Sequence, residues 1–514
     1  MPPADRTAGG RQRLTAAVFL AVALSVAACG TTVPLSQTTA GAHSQFGGDV
    51  ALGQVPSAQP SQGSLTPGGS PYAGGSTGST GGATGTTGGD LSGSTGAGTT
   101  GLGLPAITGR GVTATTITIG AAFATGTGGV ANTFGISGAG TVAEGDIWKA
   151  VVADVNKSGG VLGRKLSLYV HSVDLAGYVA NPAQTIAEAC ADFRDDHKVF
   201  VAMVGISDPA LRKCLGDMGS PLLVYDATVG AIIPASAFRE HGGSFLYAPD
   251  GITMERLAQL FVKSLVARSF TAKWDTTNGG PGIAPVKLGL IHADTPDQNI
   301  QYAAYTKELA RYGLRFTDTV TYSGDVSTAL ASTQSAVLKF ASEGITHVFG
   351  ASAFFLRDAE SQHYRPRYAY LPALGSFGAA NSPAAQMTGA MTVGWSPAVD
   401  VNAPQDPGDT PGAAHCRTVL RAAGVTASNR QDLELMYAVC DAVYSFRAAL
   451  TAGQTPSVAG LRRGFEALGR GFGPALGFAS LLSPDHHFGV DAVRDVAYDT
   501  ACSCLKYTSR TNRS

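Results

Sequence analysis

Seven short runs organise the chain from residue 112 onward. They are "TITIGAAF" (116–123), "KLSLYVHSVD" (165–174), "VFVAMVG" (199–205), "PLLVYDA" (221–227), "VKLGLIHAD" (286–294), "THVFGAS" (346–352) and "AMTVGWS" (390–396). Several are almost continuously apolar, so each needs cover on both faces. Helices crossing over a parallel sheet supply that cover, and open hairpins do not. The pattern predicts an α/β protein. Its length, about 400 residues past the boundary, exceeds what one sheet usually organises and predicts two Rossmann-like lobes with parallel sheets.

Helix starts are legible between the runs. Asn181 precedes Pro182, with Gln184 three positions on, which reads as a capping box; Asp208 and Pro209 repeat the device. The stretch "NKSGGVLGRKLSLYVHSVD" looks at first like a phosphate loop, but such a loop leaves a strand and enters a helix. Here the order is reversed. Ile147, Val151, Val152 and Val155 recur at helical spacing, Gly159 and Gly160 fall where a helix ends in left-handed geometry, and a strand follows. Arg164 and Lys165 read as solvated.

The amino-terminal portion has a different texture. Arg11 and Arg13 precede an apolar stretch too short for a comfortable membrane span, closed by "VAAC" at Cys29. That pattern resembles a bacterial lipoprotein signal over residues 1–28, with Cys29 lipidated; an ordinary secretory signal cleaved nearby is the other reading. Both imply export, and the first implies anchoring at the cell membrane on its extracytoplasmic face. Residues 29–110 are dominated by Gly, Ser and Thr and read as a flexible tether, whose coil of about 80 residues spans roughly 50 Å.

A net charge of -1 argues against nucleic acid as a partner. Setting Cys29 aside leaves six of the seven cysteines in an exported chain, where disulfides persist. Cys190 with Cys214 and Cys416 with Cys440 are the favoured pairs, because each couple lies on neighbouring predicted helices. Cys502 and Cys504 close a tight local bridge or pair elsewhere.

Helix, "N-x-x-GGVLGRKL", strand and terminal Asp, placed after an initial "ITIG" strand, resemble the first βαβ unit of type I periplasmic binding proteins, carried by Asn156, Gly159, Gly160, Gly163, Arg164 and Asp174. More narrowly, the chain resembles the branched-chain amino acid and amide receptors that serve ABC importers. The likeness runs on through "VFVAMVGISDPAL", "PLLVYDAT", "LELMYAVCDAVYSFRAAL" and the terminal "SPDHHFGVDAVRDVAYDTACSCLKY". It implies two lobes joined by three crossovers, with boundaries at 111–247 and 395–470 for the first lobe and 248–394 and 471–514 for the second. It also implies a small-molecule solute in the cleft, an ABC permease as partner, no cofactor and no catalysis. A sensor of the same fold, handing its closed state to a signalling protein, is the alternative.

Mapped residue by residue, the resemblance puts Phe134, Ser207, Asp226, Ala227 and Thr228 in the first lobe's half of the cleft. In amino-acid binders that set holds the ligand carboxylate through hydroxyls and loop amides. Asp226 would repel a carboxylate, and Ser207 has a plain turn as its other reading. The second lobe offers Asp294, Ser352 and Phe377. Relatives that bind amino acids carry an acidic residue within Gly-x-Glu-Gly to hold the ammonium, whereas "LGSFGAAN" puts Phe377 there. An ammonium buried against phenyl is costly unless Asp226 or Asp294 supplies the charge. Asp294 and Ser352 read equally well as a solvated loop residue and a helix cap, and Phe354 and Phe355 as core.

Other chemistries fit worse. "GISDP" and "GASAF" each miss the last glycine of a nucleophile elbow, and His292 with Asp294 has no identifiable third partner. His486 and His487 are adjacent, so on a strand they point to opposite faces and do not share a metal ion.

Overall fold

The computed structural model describes residues 109–127, 137–205, 208–225, 232–238, 246–276, 280, 282, 285–323, 326–509 and 512–513. Strand β1 (Thr116–Thr125) sets the pattern. Ile117, Ile119, Ala121 and Phe123 enter one apolar cluster and Ala122 another, so both faces are covered as the apolar run requires. Gly120 is demanded on the second face: a Cβ there would stand 2.9 Å from the Phe193 ring.

Strands β2 (Lys165–Asp174), β3 (Val201–Val204) and β4 (Leu222–Val224) follow, then β5 (Ile232–Ile233), β6 (Leu246–Tyr247) and β7 (Ile252–Thr253). The first sheet is parallel, in the order β2-β1-β3-β4-β6; β5 and β7 pair separately. The second sheet is built from β8 (Leu288–Ala293), β9 (Phe316–Tyr322), β10 (His347–Phe349), β11 (Arg367–Ala369), β12 (Met391–Gly394), β13 (Ala492–Asp499) and β14 (Cys504–Tyr507), in the order β14-β13-β12-β11-β10-β8-β9. The stretch from β12 to β9 is parallel; β13 and β14 add antiparallel, and β15 (Asn512–Arg513) pairs with β13. The sheet is therefore mixed where the sequence pattern suggested parallel strands alone.

After β12 the chain returns to the first lobe. Helices Pro411–Ala422, Arg430–Gly453 and Val458–Leu468 send Leu420, Val443, Phe446, Leu461 and Phe465 into the cluster that holds Ile117 and Trp148. The passages between lobes are stitched by backbone bonds. Ala248 N donates to His487 O at 2.8 Å, Gly489 N to Ala248 O at 2.7 Å and Val490 N to Gly251 O at 3.0 Å. The apolar interior is also continuous between lobes, since Val204 and Leu211 share a cluster with Ile291, Val348 and Tyr368.

The glycine-rich stretch is a helix end. Helix Glu144–Lys157 stops at Ser158, Gly159 and Gly160 take φ of +97° and +73°, and Gly160 N closes on Val155 O at 2.9 Å. Asn156 fixes the strand that follows: its side chain donates to Leu166 O at 2.9 Å and accepts from Leu166 N at 2.7 Å. Arg164 departs from expectation. It is 4% exposed, donating from Nε to Thr113 O at 2.9 Å and from Nη1 to Leu162 O at 3.2 Å, so it ties the turn to the segment before β1. Lys165 is exposed. The capping box at Asn181 is also altered: Asn181 accepts from Gln184 N at 3.4 Å, but Gln184 Oε1 takes the Asn181 side-chain amide, because Asn181 N already donates to Gly177 O.

Disulfides join Cys190 to Cys214, Cys416 to Cys440 and Cys502 to Cys504. Among the described residues no helix is long and apolar enough to cross a membrane.

Candidate functional site

The lobes meet through segments that follow the carboxyl ends of their parallel strands, where α/β sheets leave room for ligands. Helix Pro209–Asp217 begins just past β3 and helix Pro296–Ala310 just past β8. Between their first turns Arg212 Nη2 donates to Asp297 Oδ2 at 3.4 Å, with side chains 10% and 13% exposed. A second junction joins Ser137 to Asn381, which is 7% exposed. Ser137 N donates to Asn381 Oδ1 at 3.1 Å and Asn381 Nδ2 returns a bond to Ser137 O at 3.1 Å. Next to it the Phe377 ring lies 3.9 Å from where a Cβ on Gly138 would stand.

The first lobe's side rests on carboxylates. Asp208 is the N-cap of its helix, accepting from Ala210 N at 2.7 Å and Leu211 N at 3.2 Å, and Tyr178 donates its hydroxyl to it at 3.3 Å. Burial raises the Asp208 pKa although these donors and the Arg212 charge work against it. Both amides at this helix start are therefore already engaged by the chain's own acid. Glu144, at the start of helix Glu144–Lys157, lies buried and accepts from the hydroxyl of Tyr225 at the end of β4 and from Trp148 Nε1 at 3.3 Å. Burial pushes its carboxyl up to about 8 in spite of both donors.

The loop carrying Ser137 is held to the returning helix. Asp432 accepts from Thr141 N at 2.6 Å, Val142 N at 2.9 Å and Ser428 N at 2.8 Å, and Asn429 donates to Ala139 O at 2.9 Å. Burial acts to raise the Asp432 carboxyl, but these donors outweigh it and bring it below its ordinary value.

The second lobe uses neutral caps. Thr295 accepts from Gln298 N at 3.4 Å and Ser352 from Phe355 N at 3.3 Å. Asp294 is exposed and takes the Asn299 side-chain amide at 2.9 Å. His292 stacks on Tyr302 with ring centres 4.3 Å apart, and burial lowers its pKa, so it stands as a neutral aromatic packing partner. Phe354 and Phe355 are core.

Of the residues singled out from sequence, Asp294, Ser352 and Phe377 lie on the second lobe's strand-end segments. Phe134, Ser207, Asp226, Ala227, Thr228 and Cys29 lie outside the described residues. The contacts that sequence reasoning passed over are Arg212 with Asp297, Ser137 with Asn381, and Asp432. The last had a signal: Asn429 and Asp432 ahead of an apolar run form a cap pattern. Arg212 had none, since a charge one turn into a helix ordinarily reads as solvated. His486 and His487 pack on Phe488 and Tyr247, and among the described residues no group of three His, Cys, Asp or Glu is placed to hold a metal ion.

The architecture has solved counterparts. A solute-binding protein of an ABC transporter from R. palustris, in complex with 4-hydroxybenzoate, superposes with a TM-score of 0.54 at 14% identity, covering 78% of this chain and 97% of that one. A branched-chain amino acid ABC transporter protein from Thermus thermophilus with bound valine gives 0.53 at 16% identity, over 78% and 96%. This chain has the type I periplasmic-binding-protein fold. An extracellular ligand-binding receptor from Rhodopseudomonas palustris HaA2 shares that fold, with a TM-score of 0.53 at 15% identity over 76% of this chain and 99% of its own. No protein-family model and no curated protein matches the sequence.

Proposed function

We propose that this chain is the substrate-binding component of an ABC importer. It captures a small polar solute, an amino acid, an amide or a related carboxylate, between its lobes and releases it unchanged. The observation that carries the reading is the pairing of two α/β lobes whose strand-end segments touch at two junctions, in a fold whose solved examples hold valine and 4-hydroxybenzoate. Lobe closure removes such a solute from water, and the closed form is what a permease recognises. In the same proposal Cys29 carries a lipid that anchors the chain on the outer face of the cell membrane, residues 29–110 are the tether, and Phe134, Ser207, Asp226, Ala227 and Thr228 complete the first lobe's half of the site with Asp294, Ser352 and Phe377 opposite. Supporting the placement of Ser207 is its position beside the cap of helix Pro209–Asp217.

The test is a thermal-shift screen of the chain against amino acids, amides, short carboxylates, polyols and aromatic acids. A true ligand at a hundred times its Kd should stabilise by about 2.7 kcal/mol. Its affinity should fall in Ser207→Ala and Thr228→Ala. A screen without a single stabilising compound removes the proposal.

A further inference from the structure

Arg212 stands between two carboxylates, one from each lobe. Asp208, four residues earlier on its own helix start, feels its charge, and Asp297, the second residue of the facing helix, takes its Nη2 across the junction. We propose that Arg212 and Asp297 form a reversible latch that holds the two lobes together before any solute arrives. The contact joins segments that belong to different sheets, so parting the lobes must break it. Both charges are largely removed from water when they meet, at 10% and 13% exposure, where an ion pair is screened little by salt. Both also stay near compensating charge when they part. Arg212 remains one helical turn from the N-cap Asp208, whose carboxylate its charge favours through space, and Asp297 sits in the first turn of helix Pro296–Ala310, where a negative charge is favourable. Neither charge is stranded by opening, which separates a latch from a permanent weld, in which a buried ion would lose its only compensation. The neutral junction of Ser137 with Asn381 adds direction without charge.

The experiment measures lobe separation without a ligand. Spin labels on genetically encoded keto amino acids replace exposed Lys157 of the first lobe and Lys307 of the second, leaving the disulfides untouched, and pulsed dipolar spectroscopy reads the distance in the full chain. The unmodified pair should give mainly the short separation of this structure. Arg212→Gln and Asp297→Asn should each lower the closed-to-open ratio by about tenfold or more. The double variant should open no further than either single change, the mark of one shared interaction. Asp297→Asn alone decides the matter if Arg212→Gln does not fold. An unchanged distance distribution in Asp297→Asn, or single effects that add in the double variant, overturns the latch. Solute capture is judged separately: a screen that finds no ligand while the latch variants still open the lobes removes capture and leaves the latch standing.

Discussion

In the first lobe, Cys190–Cys214 and Cys416–Cys440 each bridge a sequence separation of 24, and the cleft-side helix starts rest on the buried acids Asp208 and Glu144. In the second, Cys502–Cys504 spans a separation of 2, and the matching helix starts rest on the hydroxyls of Thr295 and Ser352. One architecture is thus fastened in two ways. Long cross-links and raised carboxylates predict a first lobe that responds to reductant and to rising pH. The second lobe, with hydroxyl caps and aromatic packing such as Tyr305 and Phe261 around Phe349, titrates instead on the acid side through His347, whose pKa burial lowers to about 4.

The largest effect that would break this comparison is redox. In the chain-entropy account, deleting Cys416 and Cys440 together should cost about 3.5 kcal/mol, and deleting Cys502 with Cys504 only about 1.5 kcal/mol. Urea unfolding of the two paired-Ala variants measures both. Equal costs would mean that the bridges do not distinguish the lobes.

Glu144 sharpens the comparison next. Glu144→Ala leaves the Tyr225 hydroxyl and the Trp148 indole without their acceptor in a buried place and should cost about 3 kcal/mol. Glu144→Gln keeps an acceptor and tests the charge. The folded carboxyl is raised from 4.5 to about 8, so the folded state binds the proton more tightly than the unfolded chain. Stability is then fully favoured below about pH 4.5 and falls as pH rises toward about 8. Asp441, raised by burial from 3.8 to about 7 despite amide bonds from Ala475 and Leu476, acts with the same sign. Asp432, lowered, acts oppositely and loses its contribution as pH falls through its folded value. Denaturation from pH 5 to pH 8 should show a shallower fall in Glu144→Gln than in the parent, with Asp441 and Asp208 contributing to the remainder. An unaltered slope would mean that Glu144 does not titrate in this window.

These contrasts also mark how far sequence carries. Continuous apolar runs exposed β1, β3, β4, β8, β10 and β12, because a strand covered on both faces has that one signature; β2, at the sheet edge with Lys165 and Ser167 exposed, was legible from the strand residues that follow the glycine turn. β9 escaped the same search: in "FTDTVTY" half-buried and exposed residues alternate, as they do at a sheet edge with one wetter face. β11, three residues long, holds too little pattern to be read alone. Disulfide pairing was legible because helical neighbours bring Cys190 to Cys214 and Cys416 to Cys440. The latch residues were not, because burial of a charge depends on a partner that lies 85 residues away.

The smallest effect lies in the caps themselves. Asp208→Ala removes acceptors from Ala210 N and Leu211 N and the partner of Tyr178, and should cost about 2 kcal/mol. Thr295→Ala and Ser352→Ala each remove one acceptor from one amide and should cost about 1 kcal/mol or less. The difference follows from the number of donors satisfied rather than from the helices, since both Asp208 and Thr295 are followed by Pro at the first helical position. Asp208→Ser separates the two contributions. A serine can still cap the helix but carries no charge to face Arg212, so at neutral pH it should recover much of the cap while relieving the burial of a carboxylate. If Asp208→Ser is as unstable as Asp208→Ala in thermal unfolding, the acid is held there for the sake of Arg212 and Tyr178 rather than for the helix start.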